Sequence, residues 1–250
     1  MIKFIQVFLT VLFLFLFSKS FAQSDTIKSK PKSDKTSVAY YIVPSALIGY
    51  GIATRFIGSF QTLDHKIDEQ VQQNIYRQYK FDDYIQYAPY LGIYGLDLCG
   101  VKAKHNYVDR TLVLGTSMIF ATILVQGTKH LTLVERPDQS NNHSFPSGHT
   151  TTAFLGAHIL LKEHKDKSVW IGVAGYSIAL TTASMRLVNR KHWLSDVVTG
   201  AGTGILCVEL SYLLLPVCHN LFKIRDKNKV LSICPVVTPN YTGMTVMMFF

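Results

Sequence analysis

The segment Val197–Val217, VVTGAGTGILCVELSYLLLPV, is apolar along its length and interspersed with glycine, alanine, serine and threonine. Its hydrophobic residues do not alternate with period two, so it is no half-buried strand, and its small residues let one helix lie close against another. Three further segments have the same character: Thr111–Thr128, Thr150–Leu161 and Val169–Met185. Together they predict an all-α core, a helical bundle. Upstream, Val38–Phe56 is apolar but broken by Pro44 and several glycines. Residues 60–82 are polar, with Ile67, Val71, Ile75 and Tyr79 recurring every fourth position, the stripe of an amphipathic helix. Tyr84–Cys99 is another helical candidate, and Asp97 near its end argues against deep lipid burial. The tail differs. Val230–Val237 and Thr245–Phe250, separated by Thr-Pro-Asn-Tyr-Thr-Gly, read as a short β-hairpin, and two strands cannot close a barrel.

The 250 residues suit one domain with room for a small appendage. A net charge of +9 favours an anionic partner such as a phosphate ester or an acidic lipid surface. Nucleic acid is not expected, because the cations lie in scattered loops with no basic helix or aromatic-studded strand. Met1–Gln23 reads as a secretory signal, with Lys3 first, an apolar run over Val7–Phe17, and Ser20-Phe21-Ala22 as the small-residue cleavage site. Residues 24–37 are polar and cannot bury a core. Cys99, Cys207, Cys218 and Cys234 lack metal-type spacing; three lie in or beside apolar runs, where a buried thiol is the common state.

Three short blocks carry the chemistry: Lys129-x6-Arg136-Pro137, then Pro146-Ser147-Gly148-His149, then Arg186-x5-His192-x3-Asp196. In the third, His192 and Asp196 are four residues apart and can share one face at a helix start. A carboxylate accepting from one imidazole nitrogen leaves the other free to attack phosphorus. In the second, Ser147 is a candidate N-cap for a helix beginning at Gly148. Free N–H groups there attract an anion, and Gly148 lets an oxygen approach the main chain. His149 is placed to donate a proton to a departing alcohol and then to activate water. Arg136 and Arg186 offer planar forks of donors to phosphate oxygens, and Lys129 a compact charge. The predicted helix ends bring all three blocks to one end of the bundle. His130, His143, His158 and His164 have no partner at metal spacing, so no catalytic metal or other cofactor is expected.

These blocks resemble the three-part signature of the type 2 phosphatidic-acid phosphatases, a superfamily that also holds bacterial non-specific acid phosphatases and vanadium haloperoxidases. The resemblance covers roughly residues 85–216 and departs at Met185, where the family usually has serine; Ser184 lies one position further back. The family's serine hydroxyl is therefore missing at position 185, while Arg186, His192 and Asp196 all match. The resemblance implies a phosphatase acting through a covalent phosphohistidine at His192, with Asp196 holding the ring. Its substrate would be a phosphorylated lipid or a small phosphate ester. The expected organisation is a signal peptide over 1–22, a linker over 23–37, a helical phosphatase domain over 38–222 with its motif core at 111–216, and a tail over 223–250.

Export to the cell envelope follows from the signal, and the apolar segments suit a multi-pass membrane protein, with a soluble periplasmic bundle as the alternative. With the mature N-terminus outside, crossings at Val38–Phe56 and Thr111–Thr128 place Lys129 outside again, whereas a further crossing at Tyr84–Cys99 would turn the site to the cytoplasm. Lys162, Lys165, Lys167 and the Lys223–Lys229 cluster then fall inside, as membrane proteins prefer, whereas the lysines at 28–35 fall outside. A non-catalytic lipid-phosphate-binding protein is the remaining reading; the retention of both histidines and the aspartate speaks against it.

Overall fold

A computed structural model describes residues 39–74, 80–222, 231–238 and 241–248. The expected signal peptide, the linker, Ile75, Tyr79 and the Lys223–Lys229 cluster lie outside these residues. The chain divides into two compact units, residues 1–211 and 212–250.

The first unit is built from helices α1 (Ala39–Phe56), α2 (Gly58–Asn74), α3 (Asp82–Ile85), α4 (Ala88–Leu98), α5 (Tyr107–Thr132), α6 (Gly148–His164), α7 (Val169–Val188) and most of α8 (Leu194–Leu221). Asn106 caps the start of α5 by accepting the Asp109 N–H at 2.8 Å. The same helix stops at Leu133, whose left-handed backbone (φ 46°) lets its N–H donate to Lys129 O.

Helix α6 is the centre. Ala153, Phe154 and Ala157 from α6, Ala179 and Ala183 from α7, and Val197, Ala201 and Ile205 from α8 form one buried core. Alanines dominate because the helix axes approach closely. A Cβ on Gly200 would lie 2.6 Å from Ser147 O, and one on Gly204 would lie 2.5 Å from Thr151 O. The opposite face of α8 meets α1, where a Cβ on Gly202 would lie 2.7 Å from Pro44 O. The small residues of Val197–Val217 thus seat this helix against two neighbours at once.

Three of the described helices, α5, α7 and α8, are long and apolar enough to cross a membrane. Only 28%, 33% and 50% of their apolar windows are buried within the protein, so much of each faces outward. Helix α6 is not among them. Its neighbours cover it, so it carries buried polar groups that lipid would not tolerate. His158 Nε2 donates to Glu209 Oε1 at 2.6 Å, Lys162 Nζ donates to Glu209 Oε2 at 2.7 Å, and Tyr176 O–H meets His158 Nδ1 at 2.7 Å. His158, without a partner in the sequence, is a core histidine with one in the fold.

Two boundaries differ from expectation. Tyr84–Cys99 is not one helix, because turns at Gln86 and Tyr87 separate α3 from α4 and Pro89 starts the second. The inward edge of α2 is not purely apolar: Ile67 and Val71 are half-buried, whereas Asp64 is buried. In the second unit, β1 (Leu231–Thr238) and β2 (Tyr241–Met248) pair antiparallel, with Thr238 opposite Tyr241 and Val236 opposite Gly243. The hairpin forms, but Thr238, Tyr241, Thr242 and Gly243, read from sequence as loop, belong to the ladder. Each added pair satisfies main-chain groups that a loop would leave to solvent. Pro235 is tolerated because each strand of a two-stranded sheet is an edge.

Candidate active site

The C-terminal ends of α5 and α7 and the N-terminal ends of α6 and α8 carry the three blocks. His192 lies in the loop before α8, not on a helix face. The expected i,i+4 sharing of a helix face is therefore replaced by a capping arrangement. Asp196, in the first turn of α8 and fully buried, reaches back so that its Oδ2 accepts the Trp193 N–H at 2.9 Å. That oxygen stands 3.6 Å from His192 Nδ1, longer than a hydrogen bond. Ser144 fills the gap: its hydroxyl donates to Asp196 Oδ2 at 2.5 Å and lies 3.4 Å from Nδ1. The ring is held from its Nδ1 side, which leaves Nε2 as the free nitrogen. Burial, outweighing Asp196 and helped by the charges of Arg186 and Lys129, pushes the His192 pKa down to about 4. The imidazole is neutral at physiological pH, the state a nucleophile requires.

The second block is tied to the third by the Ser147 N–H, which donates to Asp196 O at 3.0 Å. Ser147 occupies the N-cap of α6 as expected, but its side chain makes no cap hydrogen bond and instead accepts the Thr150 hydroxyl at 2.9 Å. A Cβ on Gly148 would meet only Val125 Cγ1, at 3.7 Å, so no protein neighbour demands glycine there. His149 Nε2 donates to Asp83 Oδ1 at 2.9 Å. Its pKa is lowered by burial and by Arg186, with Asp83 and Asp82 acting the other way. His149, Gly148 and Asp83 line a cavity of about 350 Å³ that continues past Tyr90, Met118 and Val125.

The cations are buried or nearly so. Lys129 closes α5 and donates to His143 O at 2.5 Å, so this loop histidine serves through its main chain. Arg186 Nη1 donates to Asp82 Oδ2 at 2.6 Å, while its Nε is buried without a partner among the described residues. Arg136 Nε is likewise buried without a partner. Burial and the Arg186 charge hold the Arg136 guanidinium below its usual pKa, a sign that the cluster lacks negative charge. Arg136 and Arg186 are electrostatic neighbours of Lys129, and Arg186 and Lys129 of His192. The first block is docked to the third by the Asp138 N–H donating to Arg190 O at 3.1 Å and by Lys191 Nζ donating to Asp138 Oδ2 at 2.5 Å. Arg190 (φ 54°) in turn grips Asp68 of α2 with two 2.7 Å bonds.

Several participants escaped the sequence. Asp82 and Asp83 come from α3, and Ser144 from the loop before α6. Arg55 at the end of α1 lies 3.9 Å from Asp196 Oδ1, which has no hydrogen bond of its own. Arg55 also donates to Ser195 Oγ at 2.6 Å, and Ser195 Oγ donates to Asp64 Oδ2 at 2.6 Å. The only local hint was the acidic pair Asp82-Asp83 in front of an apolar stretch.

Residues 110–220 match the family model described as the PAP2 superfamily. The chain is 37% identical over 136 residues to a lipid A 1-phosphatase of Porphyromonas gingivalis, a match covering 53% of this chain. The chain spans only 30% of the length of that relative. Two solved structures are similar. One is Aquifex aeolicus LpxE, with 21% identity, TM-score 0.44, and coverage of 59% of this chain and 93% of that one. The other is a transmembrane PAP2-type phosphatidylglycerolphosphate phosphatase from Bacillus subtilis, with 20% identity, TM-score 0.39, and coverage of 74% and 98%.

Proposed function

From a PAP2-superfamily segment spanning residues 110–220, we propose that this protein is a membrane-embedded, metal-independent phosphatase for phosphate mono- or diphosphate esters carried on lipids. The observation that supports this best is the pair of buried guanidinium nitrogens, Arg136 Nε and Arg186 Nε, that lack partners among the described residues beside buried Lys129. Buried donors without acceptors are costly, and a phosphoryl group supplies three acceptor oxygens and the missing negative charge. Neutral His192 would attack phosphorus through Nε2 while His149 protonates the leaving oxygen. Water, deprotonated by His149, would then displace phosphate from the phosphohistidine.

In the cavity beside His149, Tyr87, Tyr90, Met118, Val125 and Leu155 share the wall with glutamines and threonines, a mixed lining that suits an ester with an amphiphilic alcohol. The relative's name puts lipid A phosphates first in a substrate screen, ahead of phosphatidic acid, phosphatidylglycerol phosphate and polyprenyl diphosphate. Lys162, Lys165 and Lys167 lie at the end of α6 away from His149. With those lysines cytoplasmic, the site opens to the periplasmic side of an exported protein.

The test is phosphate release from detergent-dispersed lipid phosphate in the presence of chelator, wild type against His192→Ala. Release by wild type alone is expected. Equal release by both proteins, or loss of activity on chelation, overturns the reading.

A further inference from the structure

Each of the two histidines assigned to chemistry has a carboxylate of its own, and the second carboxylate comes from outside the three blocks. His192 has Asp196, as described. His149 has Asp83, on a four-residue helix 66 positions earlier in the chain, at 2.9 Å from Nε2. Resting on the phosphatase reading, we propose that Asp83 is a positioning residue for the proton donor: its carboxylate holds His149 by Nε2–H, so that Nδ1 is the nitrogen that exchanges the proton with the reacting oxygens.

A rival role for Asp83 is occupation of the phosphate seat, to be displaced by substrate. The donors argue against it. Asp83 Oδ1 is 3.7 Å from Arg186 Nη1, which already donates to Asp82 Oδ2 at 2.6 Å. Among the described residues of the cation cluster, the buried donors without partners are Arg136 Nε and Arg186 Nε, and Asp83 makes no hydrogen bond to either. Asp83 instead shares the cavity wall with His149, on the side where an amphiphilic leaving group fits.

The proton balance closes. In the first half-reaction the His149 imidazolium gives its Nδ1 proton to the departing alkoxide as the P–O bond breaks and the bond from His192 Nε2 to phosphorus forms. His149 becomes neutral and keeps Nε2–H on Asp83. In the second half-reaction Nδ1 takes a proton from water as its oxygen attacks phosphorus. The electron pair of the breaking P–N bond returns to His192, and the imidazolium is restored. Asp83 never gives up or gains a proton; it fixes the ring and favours its charged form. The other charged groups facing His149 are Asp82 from α3, which also favours the imidazolium, and Arg186 from α7, which opposes it. Tyr90 of α4 approaches as well, its O–H donating to Thr152 O at 2.7 Å, and every residue that α5 contributes to the cavity wall (Met118, Ala121, Thr122, Val125 and Gln126) is uncharged.

The experiment compares wild type, Asp83→Asn and Asp83→Glu in detergent. In Asp83→Asn, kcat/KM for an alkyl phosphate should fall by about 10-fold or more, part of the ~10²–10⁴-fold that a general acid contributes. The fall for nitrophenyl phosphate, whose leaving group departs as a stable anion, should stay within about 3-fold, which also reports an intact fold. The alkaline limb of the alkyl-phosphate profile should move to lower pH, because removing the carboxylate makes the imidazolium easier to deprotonate, and Asp83→Glu should restore both readouts in part. The NMR titration of the His149 imidazole should move to lower pH in Asp83→Asn, because the carboxylate that favours its charged form is gone. Equal loss on both esters, an unmoved imidazole titration, or tighter phosphate inhibition with unchanged kcat each overturns the proposal, the last in favour of a displaceable plug. A moved titration in a protein whose wild type releases no phosphate from either ester would uphold the hold on His149 and sink the phosphatase reading instead.

Discussion

Replacement of Arg186 by lysine separates the anion seat from the scaffold, because this side chain serves both. Its Nη1 donates to Asp82 Oδ2 at 2.6 Å, and its Nε is buried with no partner. A lysine has one compact ammonium, which can meet Asp82 or a phosphoryl oxygen but cannot span both as a planar fork does. At least one charge-assisted hydrogen bond to the phosphoryl group is lost, worth about 1.5–3 kcal/mol. That corresponds to roughly a 10- to 150-fold fall in kcat/KM at about 1.4 kcal/mol per decade. The fold should survive, since Asp82 keeps a cation within reach and the Asn189 Nδ2 bond at 3.1 Å. Arg186→Met should behave differently. It leaves the Asp82 carboxylate, 1% exposed, without its cation, at a cost of about 3–5 kcal/mol of stability. The assays are phosphate release, inhibition by orthovanadate as a mimic of the five-coordinate phosphoryl group, and thermal unfolding in detergent. Wild-type kcat/KM and vanadate affinity in Arg186→Lys would refute the anion seat. Unfolding of Arg186→Lys as severe as that of Arg186→Met would refute the division between the two roles.

Three further perturbations follow from the structure. The His192 imidazole should titrate by NMR near pH 4, not 6.5; because the unfolded chain takes up that proton first as pH falls, its contribution to stability is full above about 6.5 and drains away toward 4. Gly200→Ala would place a Cβ 2.6 Å from Ser147 O, forcing α6 from α8, so a loss of about 1–3 kcal/mol in thermal unfolding and a fall in activity are expected. Gly115→Ala, which meets nothing within 4 Å, should leave both unchanged or gain slightly in stability.

What could be read from the chain alone was whatever is written locally. The small-residue apolar segments gave the late helices because helix period and composition are properties of neighbouring residues. The spacing of the three blocks gave Lys129, Arg136, Ser147, Gly148, Arg186, His149, His192 and Asp196 as a set, because each sits at or beside a helix end that its own sequence marks. The two strand-like runs of the tail, set around Thr-Pro-Asn-Tyr-Thr-Gly, likewise announced a hairpin, though not its register, since pairing depends on the opposite strand. The tertiary structure decided the partners. Asp83 meets His149 across 66 positions, and Arg55 meets Ser195 across 140, because α3 and the end of α1 are set down beside α6 and α8. No local pattern marks such a meeting: it depends on how closely helices cross, and here that closeness is set by glycines whose missing side chains leave no trace of what lies opposite. The same holds for the 3.6 Å gap between His192 and Asp196. Four residues of spacing suggested a shared helix face, but the helix begins after His192, so the carboxylate caps its own helix start and the Ser144 hydroxyl, beside both groups, links the pair.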